Sequence, residues 1–364
     1  MHSRSATIYC CGFKQCEYKG KSKFAKTEFL HSSSSKKKLK RYKFLLIALF
    51  LFSSCATTGF EGFPRPQKAT TPGSVKGLKP VGTIGETKLG FSFLSHPTGI
   101  TIDPEGNLFI TDTGNDRVIK CDGEGRFLKE TGGFGWEEGQ FNRPTYIATD
   151  NGLNIYVTDT QNKRVQRFDR NLNFISTILI ESTDDFSGFG LLEGIALTSG
   201  GELLLSDIED DHVIKLDNFY AYSRTFGGFG YGEGSLRDPL GISVDRKENI
   251  YVADSRNDRV AIYDLFGNFL KSVGETTLRK PSGVTVGEDG LIYVANTEKN
   301  SIAIFDQQGN LVLEYGTWGS GMGNFSKPTD LKLGKDNKLV VSGANLLYVV
   351  DSGNNRICVF EILR

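Results

Sequence analysis

Histidine is scarce in this chain of 364 residues: there are four, and only His96 and His212 lie beyond position 54. A three-histidine metal centre in the body is excluded by that count. Cysteine is nearly as rare, with six, three of them crowded into "CCGFKQC" at 10–16. No histidine or second Cys-x-x-Cys stands nearby at a ligand spacing, so the cluster does not read as a metal site. Long apolar runs are missing as well. The uncharged run at 44–52 has nine residues, well short of the ~20 that a permanent membrane-spanning helix needs. No helical period of apolar residues survives over any long window, which argues against an α-rich fold. Finally, the body has no basic excess. Residues 1–54 hold twelve of the 43 Lys/Arg and two of the 43 Asp/Glu, leaving 31 basic and 41 acidic residues beyond. An acidic body repels polyphosphate, so no nucleic-acid partner is expected.

The head is patterned. Lys36, Lys37, Lys38, Lys40, Arg41 and Lys43 precede the apolar run, and Ser53, Ser54 and Cys55 follow it. A charged n-region, a short apolar h-region and small residues before a break read as an export signal. "LFSSC" resembles a lipobox, with Phe52 in place of the usual Leu. The resemblance implies cleavage before Cys55, lipidation of its thiol and a membrane anchor on the outer side. Residues 1–35 make the n-region overlong, and a mis-assigned start codon accounts for them. Residues 1–54 are thus assigned to targeting. Residues 55–79, rich in Thr, Gly, Pro and Lys, are assigned to a flexible tether.

The rest repeats. Short apolar stretches open at "GITID" (99), "YIATD" (146), "GIALT" (194), "GISVD" (241), "GVTVG" (283) and "DLKLG" (330), spaced by 47, 48, 47, 42 and 47 residues. Each copy continues to one of "DTGNDR", "DTQNKR", "DIEDDH", "DSRNDR", "NTEKNS" and "DSGNNR". In the fourth copy, "GISVD", "IYVAD", "RVAIYD" and "FLKSVG" read as four strands separated by turn residues. A four-stranded unit recurring every 40–50 residues is a β-propeller blade. The pattern P-x-G-[IV]-x-[VI]-D…[IL]-[YF]-[VI]-[TA]-D-[ST]-x-N-x-R resembles the NHL repeat over about residues 97–361. Copies one, two and four follow it closely. His212 replaces the Arg in copy three, Lys299 and Ser301 depart in copy five, and copy six carries the insertion "SGANLL". The expected fold is all-β: a six-bladed propeller over 80–364. The last copy ends at its third strand, while "PVGTIGET" (80–87) resembles the fourth-strand end "KSVGETT" (271–277). An N-terminal strand at 81–85 is therefore expected to close the last blade and cover both open edges.

Three glycine-rich segments, "GGFGWEEGQFNRP" (132–144), "GGFGYGEGSLRDP" (227–239) and "GTWGSGMGNFSKP" (316–328), fall between blades. No helix start or P-loop Lys-Ser/Thr follows them, so they read as crossovers and not as phosphate cradles. Gly132, Gly133, Gly135 and Gly139 supply the backbone freedom, and Pro144 fixes the start of the inner strand. The Asp–Asn–Arg sets (112/115/117, 159/162/164, 254/257/259, 351/354/356) recur in four copies, whereas catalysis needs one asymmetric constellation. They read as structural, with Asp and Asn bonding backbone and Arg pairing with Asp.

Related propellers include the gluconolactonase-like hydrolases and the peptidyl-hydroxyglycine lyases, which hold a metal at the axial mouth. The histidine count excludes the latter's ligand set. A Ca²⁺ site of carboxylates and amides in the axial channel stays open, with Glu193 and Asp330 as candidates. Cys121 and Cys358 occupy different columns of neighbouring blades, so two buried thiols are expected and not a disulfide. The crossovers carry Phe134, Trp136, Phe141, Tyr146, Phe229, Tyr231, Trp318 and Phe325; many of these rings are expected to pack between blades, and any left exposed beside acidic loops would suit a protein, peptide or glycan partner.

Where copies depart from their pattern, a repeat gains asymmetry. Trp136, Tyr146, Glu193 and Asp330 are accordingly the candidate binding residues, with no catalytic residue, no cofactor and Cys55 as the lipidation site. The reading is a non-catalytic platform, exported to the cell envelope, that recognises a protein, peptide or glycan. The alternatives are a metal-dependent hydrolase or lyase at the axial mouth and, third, the nucleic-acid binding found in some NHL propellers.

Overall fold

The computed structural model describes residues 75–85, 93–150, 152–180, 188–230, 232–335 and 345–364. Cys55, the head, the tether up to residue 74, Tyr231 and the "SGA" of the insertion lie outside them. The described residues form six four-stranded antiparallel sheets. The second shows the pattern: Pro144–Asp150, Asn154–Asp159, Arg164–Asp169 and Phe174–Ile178, hydrogen-bonded in chain order. The blades span 100–132, 144–178, 192–227, 239–273, 281–315 and 328–363. The last is completed by Gly77–Ile84, which pairs antiparallel with Arg356–Leu363.

That closing strand starts three residues before the boundary the sequence suggests. Val75 is already buried, and the Lys76 N–H donates to the Leu363 carbonyl. Pro80 is harmless on this outer strand, where a bulge between Pro80 and Gly82 absorbs its missing donor.

Apolar residues recur on both faces of each second strand because a blade is covered on both sides. Six apolar clusters result, one at each junction between neighbouring blades. Phe109 and Val118 of the first blade, for example, meet Ile155, Val157 and Phe168 of the second. Cys121 and Cys358 are free, buried thiols in different clusters, as their columns suggest. Burial pushes each of them up to about 12, so both are inert as nucleophiles. The turns before the fourth strands are Asx turns: Asp122, Asp169, Asp217, Asp264 and Asp306 each accept backbone N–H bonds from two and four residues on.

The innermost strands converge tightly. A Cβ on Gly99 would lie 2.6 Å from the Thr145 carbonyl oxygen, and one on Gly194 2.1 Å from that of Leu240. Only glycine fits where one first strand crosses so close to the next.

Candidate functional site

The glycine-rich segments do join a fourth strand to the next first strand, so all of them lie at the same end of the propeller. Gly132, Gly133 and Gly139 take φ of +131°, +113° and +76°, while Gly135 at +159° is close to extended. The 132–144 crossover is a tight double-back. The Phe141 N–H donates to Gly133 O and the Gly135 N–H to Phe141 O, both at 2.9 Å. The 316–328 crossover repeats this with Phe325 and Thr317, and with Gly319 and Phe325. Phe141 and Phe325 are buried between blades and anchor each loop. The aromatics at the loop tips are not: Phe134, Trp136, Phe229 and Trp318 are 68%, 72%, 69% and 77% exposed. Phe134, Phe229 and Trp318 occupy one column of the repeat, in alternate crossovers.

The Asp–Asn–Arg sets hold these loops. In the second blade Arg164 Nε donates to Asp159 Oδ2 at 2.7 Å, and its Nη atoms reach the carbonyls of Trp136, Glu137 and Gln140. Asn162 bridges Asp159 and Gly135 O, and the Asn142 N–H binds the other Asp159 oxygen. In the last blade Arg356 grips Asp351 and the carbonyls of Ser320, Gly321 and Asn324. Four such carboxylates (Asp112, Asp159, Asp254, Asp351) are fully buried and each is matched by its arginine. These sets are staples, built from three residue types because one acceptor and two donors close a circuit in a dry site.

Sequence reasoning missed a second device. The residue before each inner proline (His96, Arg143, Asp238, Lys280, Lys327) has a left-handed backbone. Its N–H is held by the side chain of Asn355, Asp116, Asp211, Asp258 or Asn300, from the turn of the preceding blade. The signal was present as the Asp/Asn just before the Arg column, which only Lys163 breaks.

Of the four candidate binding residues, three come together and one does not. Tyr146, Glu193 and Asp330 are buried at the start of the first strands, around the axis, whereas Trp136 stands on the exposed crossover. Tyr146 spans the axis, its hydroxyl donating to Ser282 O at 2.7 Å. Burial, then the Asp330 and Glu193 charges, push its phenol well above the ordinary range. Asp330 accepts the Ile100 N–H at 3.0 Å, and burial raises its carboxyl to about 6, against the pull of Lys332. Glu193 pairs with Arg143 at 3.1 Å; burial nonetheless raises its pKa. As candidate binding residues Glu193 and Asp330 meet a physical obstacle: each is enclosed and already engaged by this chain's own donors. A Ca²⁺ shell of six to eight oxygens would have to draw on both.

Below this plug, an axial cavity of about 780 Å³ opens among the turns at the opposite end. Thr101, Ser243, Thr285 and Lys332 line it, with Arg246 and Glu288 at its rim, where they pair at 2.6 Å. Burial lowers the Lys332 pKa, opposed by Asp330. Among the described residues, three side chains able to ligate a metal gather elsewhere, at Asp207, Asp210 and His212 of the third blade.

With this geometry in view, the likenesses to known proteins concern repeat and fold. The NHL repeat family matches residues 94–121, 141–168, 236–263 and 278–305, which lie in blades one, two, four and five. Protein lin-41 of Caenorhabditis elegans is 50% identical over 46 residues, or 13% of this chain and 4% of that protein. The chain thus aligns with only a small part of that relative's length. A streptogramin B lyase structure superposes with a TM-score of 0.54 at 16% identity, covering 78% of this chain and 87% of that one. A nidogen/laminin complex gives 0.52 at 16%, covering 65% and 91%. At such identities the structural likeness shows the fold alone. The chain is a six-bladed propeller carrying NHL repeats.

Proposed function

We propose that the chain is a non-catalytic recognition propeller whose crossover face binds a protein, peptide or glycan at the cell envelope. The carrying observation is the set of rings at Phe134, Trp136, Phe229 and Trp318, more than two-thirds exposed on loops pinned by buried staples. Large apolar side chains on rigid loops lose little entropy when a partner covers them, which suits them as anchors. Mobile loops with the same rings would lose that advantage. The export-like head supports anchoring through lipid on Cys55, which would place this face outside the cytoplasmic membrane.

The test places a photo-crosslinking side chain at Trp136 or Trp318 in the full-length protein in intact cells, with Phe266, exposed on a turn at the opposite end, as control. The reading requires one discrete adduct from the crossover positions and none from Phe266. Equal labelling from both ends would reject it. Separately, Cys55→Ser should move the protein from the membrane fraction to the soluble exported fraction; continued membrane retention would reject the lipid anchor.

A further inference from the structure

Each blade must settle the same buried position, and the third does so differently from the rest. In four blades a buried carboxylate meets an asparagine and an arginine, so one acceptor is matched by two donors. The fifth blade removes the charge on both sides. Asn296 replaces the Asp and Ser301 the Arg, and both bond Glu314. The third blade keeps the carboxylate, Asp207, fully buried, and loses both donors. Asp210 stands where the others have Asn, and His212 where they have Arg. Two donors have become two ligating groups.

The geometry matches that change. His212 lies directly opposite Asp207 on the neighbouring strand. One ligand atom from each of Asp207, Asp210 and His212 lies within 4.8 Å of the other two. His212 Nε2 is buried and has no hydrogen-bond partner. Asp207 is bonded by the Gly190 and Glu209 N–H groups, which leave its charge in place. Glu209 and Asp211 add negative charge nearby, and the adjacent cation, Lys163, is paired to Glu209 at 2.6 Å. Burying a carboxylate without a counter-charge is expensive, and a second carboxylate beside it makes matters worse.

We propose that Asp207, Asp210 and His212 bind a divalent transition-metal ion of the zinc class, which replaces the missing arginine of this blade. Two carboxylates and an imidazole form an oxygen/nitrogen set that suits such an ion, while Ca²⁺ takes oxygen ligands only. Bonds of about 2.0–2.2 Å bring the ligand atoms of one shell to within about 4 Å of one another, and Asp210, exposed on its turn, is free to adjust to that spacing. Three protein ligands leave one position of a tetrahedral shell for water.

The test uses the full-length protein stripped with chelator, melted with and without Zn²⁺, and with Ca²⁺ at the same concentration. Three chains are compared: wild type, His212→Ala, and the double variant Asp210→Asn/His212→Arg, which rebuilds the circuit of the other blades. The proposal expects Zn²⁺, and not Ca²⁺, to raise the wild-type midpoint by several degrees. Neither variant should share that rise, and the double variant should melt at least as high as metal-free wild type. Zinc taken up by the cysteines at 10–16 acts equally on all three chains and cancels in the comparison. Equal zinc shifts in all three, or no shift in wild type, would overturn the proposal. Should the double variant fail to fold, His212→Ala alone decides the question.

Discussion

The junction into the third blade differs from the other five. Those five begin with a proline preceded by a left-handed residue whose N–H is clamped by an Asp or Asn of the blade before. The third begins with Leu192, and the matching turn offers Lys163. Proline and clamp therefore come and go together. A left-handed non-glycine residue costs roughly 1–2 kcal/mol, and a bond from its N–H to a carboxylate or amide is what offsets it. The third junction relies on other bonds. Thr160 donates to Leu192 O, the Tyr156 and Tyr220 hydroxyls meet at 3.0 Å, and Lys163 pairs with Glu209. Its staple is altered in the same place. At this one junction the proline, the clamp and the staple thus all depart from the molecule's rule together.

The largest expected effect breaks a regular staple. Arg164→Ala leaves Asp159 buried without its counter-charge and should cost about 3–5 kcal/mol in urea unfolding. His212→Ala, at the equivalent place in the third blade, removes a ring whose Nε2 bonds nothing without metal and should cost under about 1 kcal/mol. Similar losses at both positions would erase the distinction between the two junctions.

Next is the pH dependence of the axis. The Asp330 carboxyl is raised in the fold from 3.8 to about 6, so the folded state holds its proton more tightly than the unfolded chain does. Its contribution is full below about 4 and is lost as pH rises through about 6. The wild-type protein should lose up to about 3 kcal/mol across that window relative to Asp330→Asn. A flat difference curve would mean that Asp330 is better solvated than its burial implies.

Asp258→Ala unclamps the Lys280 N–H and should cost about 1–2 kcal/mol, whereas Asp258→Asn keeps an acceptor and should be near neutral. Lys163→Asp at the irregular junction should gain nothing, because neither the proline nor the left-handed residue is there to benefit. The smallest effect is expected at the tips: Trp136→Ala and Trp318→Ala should change stability by under about 0.5 kcal/mol, as thermal melting would show.

The propeller was legible because a blade is a short unit repeated at nearly constant spacing, and because strand patterns and turn residues agree within each copy. Closure was legible from the likeness of "PVGTIGET" to a fourth strand. The Asp–Asn–Arg set was recognisable as structural, but its grip on the Trp136 and Glu137 carbonyls was not, since backbone acceptors leave no trace in residue identity. Tyr146, Glu193 and Asp330 were rightly singled out as departures, yet their burial was hidden. How far six first strands converge is a property of the closed ring and not of any one copy. His212 was visible in the Arg column; its meaning needed the simultaneous exchange of Asn for Asp210, three-dimensionally adjacent and easily passed over in the sequence.

The central claim is that the Asp–Asn–Arg staples order the crossovers on which the exposed aromatics stand. Amide hydrogen exchange in Asn162→Ala tests it most directly, because Asn162 Nδ2 bonds Gly135 O and Asp159 without carrying the buried charge balance. The Gly135 and Phe141 amides should exchange about tenfold faster, equivalent to ~1.4 kcal/mol, while the Gly319 and Phe325 amides of the other crossover keep their wild-type rates. Unchanged rates at Gly135 and Phe141, or an equal rise in both crossovers, would contradict the account.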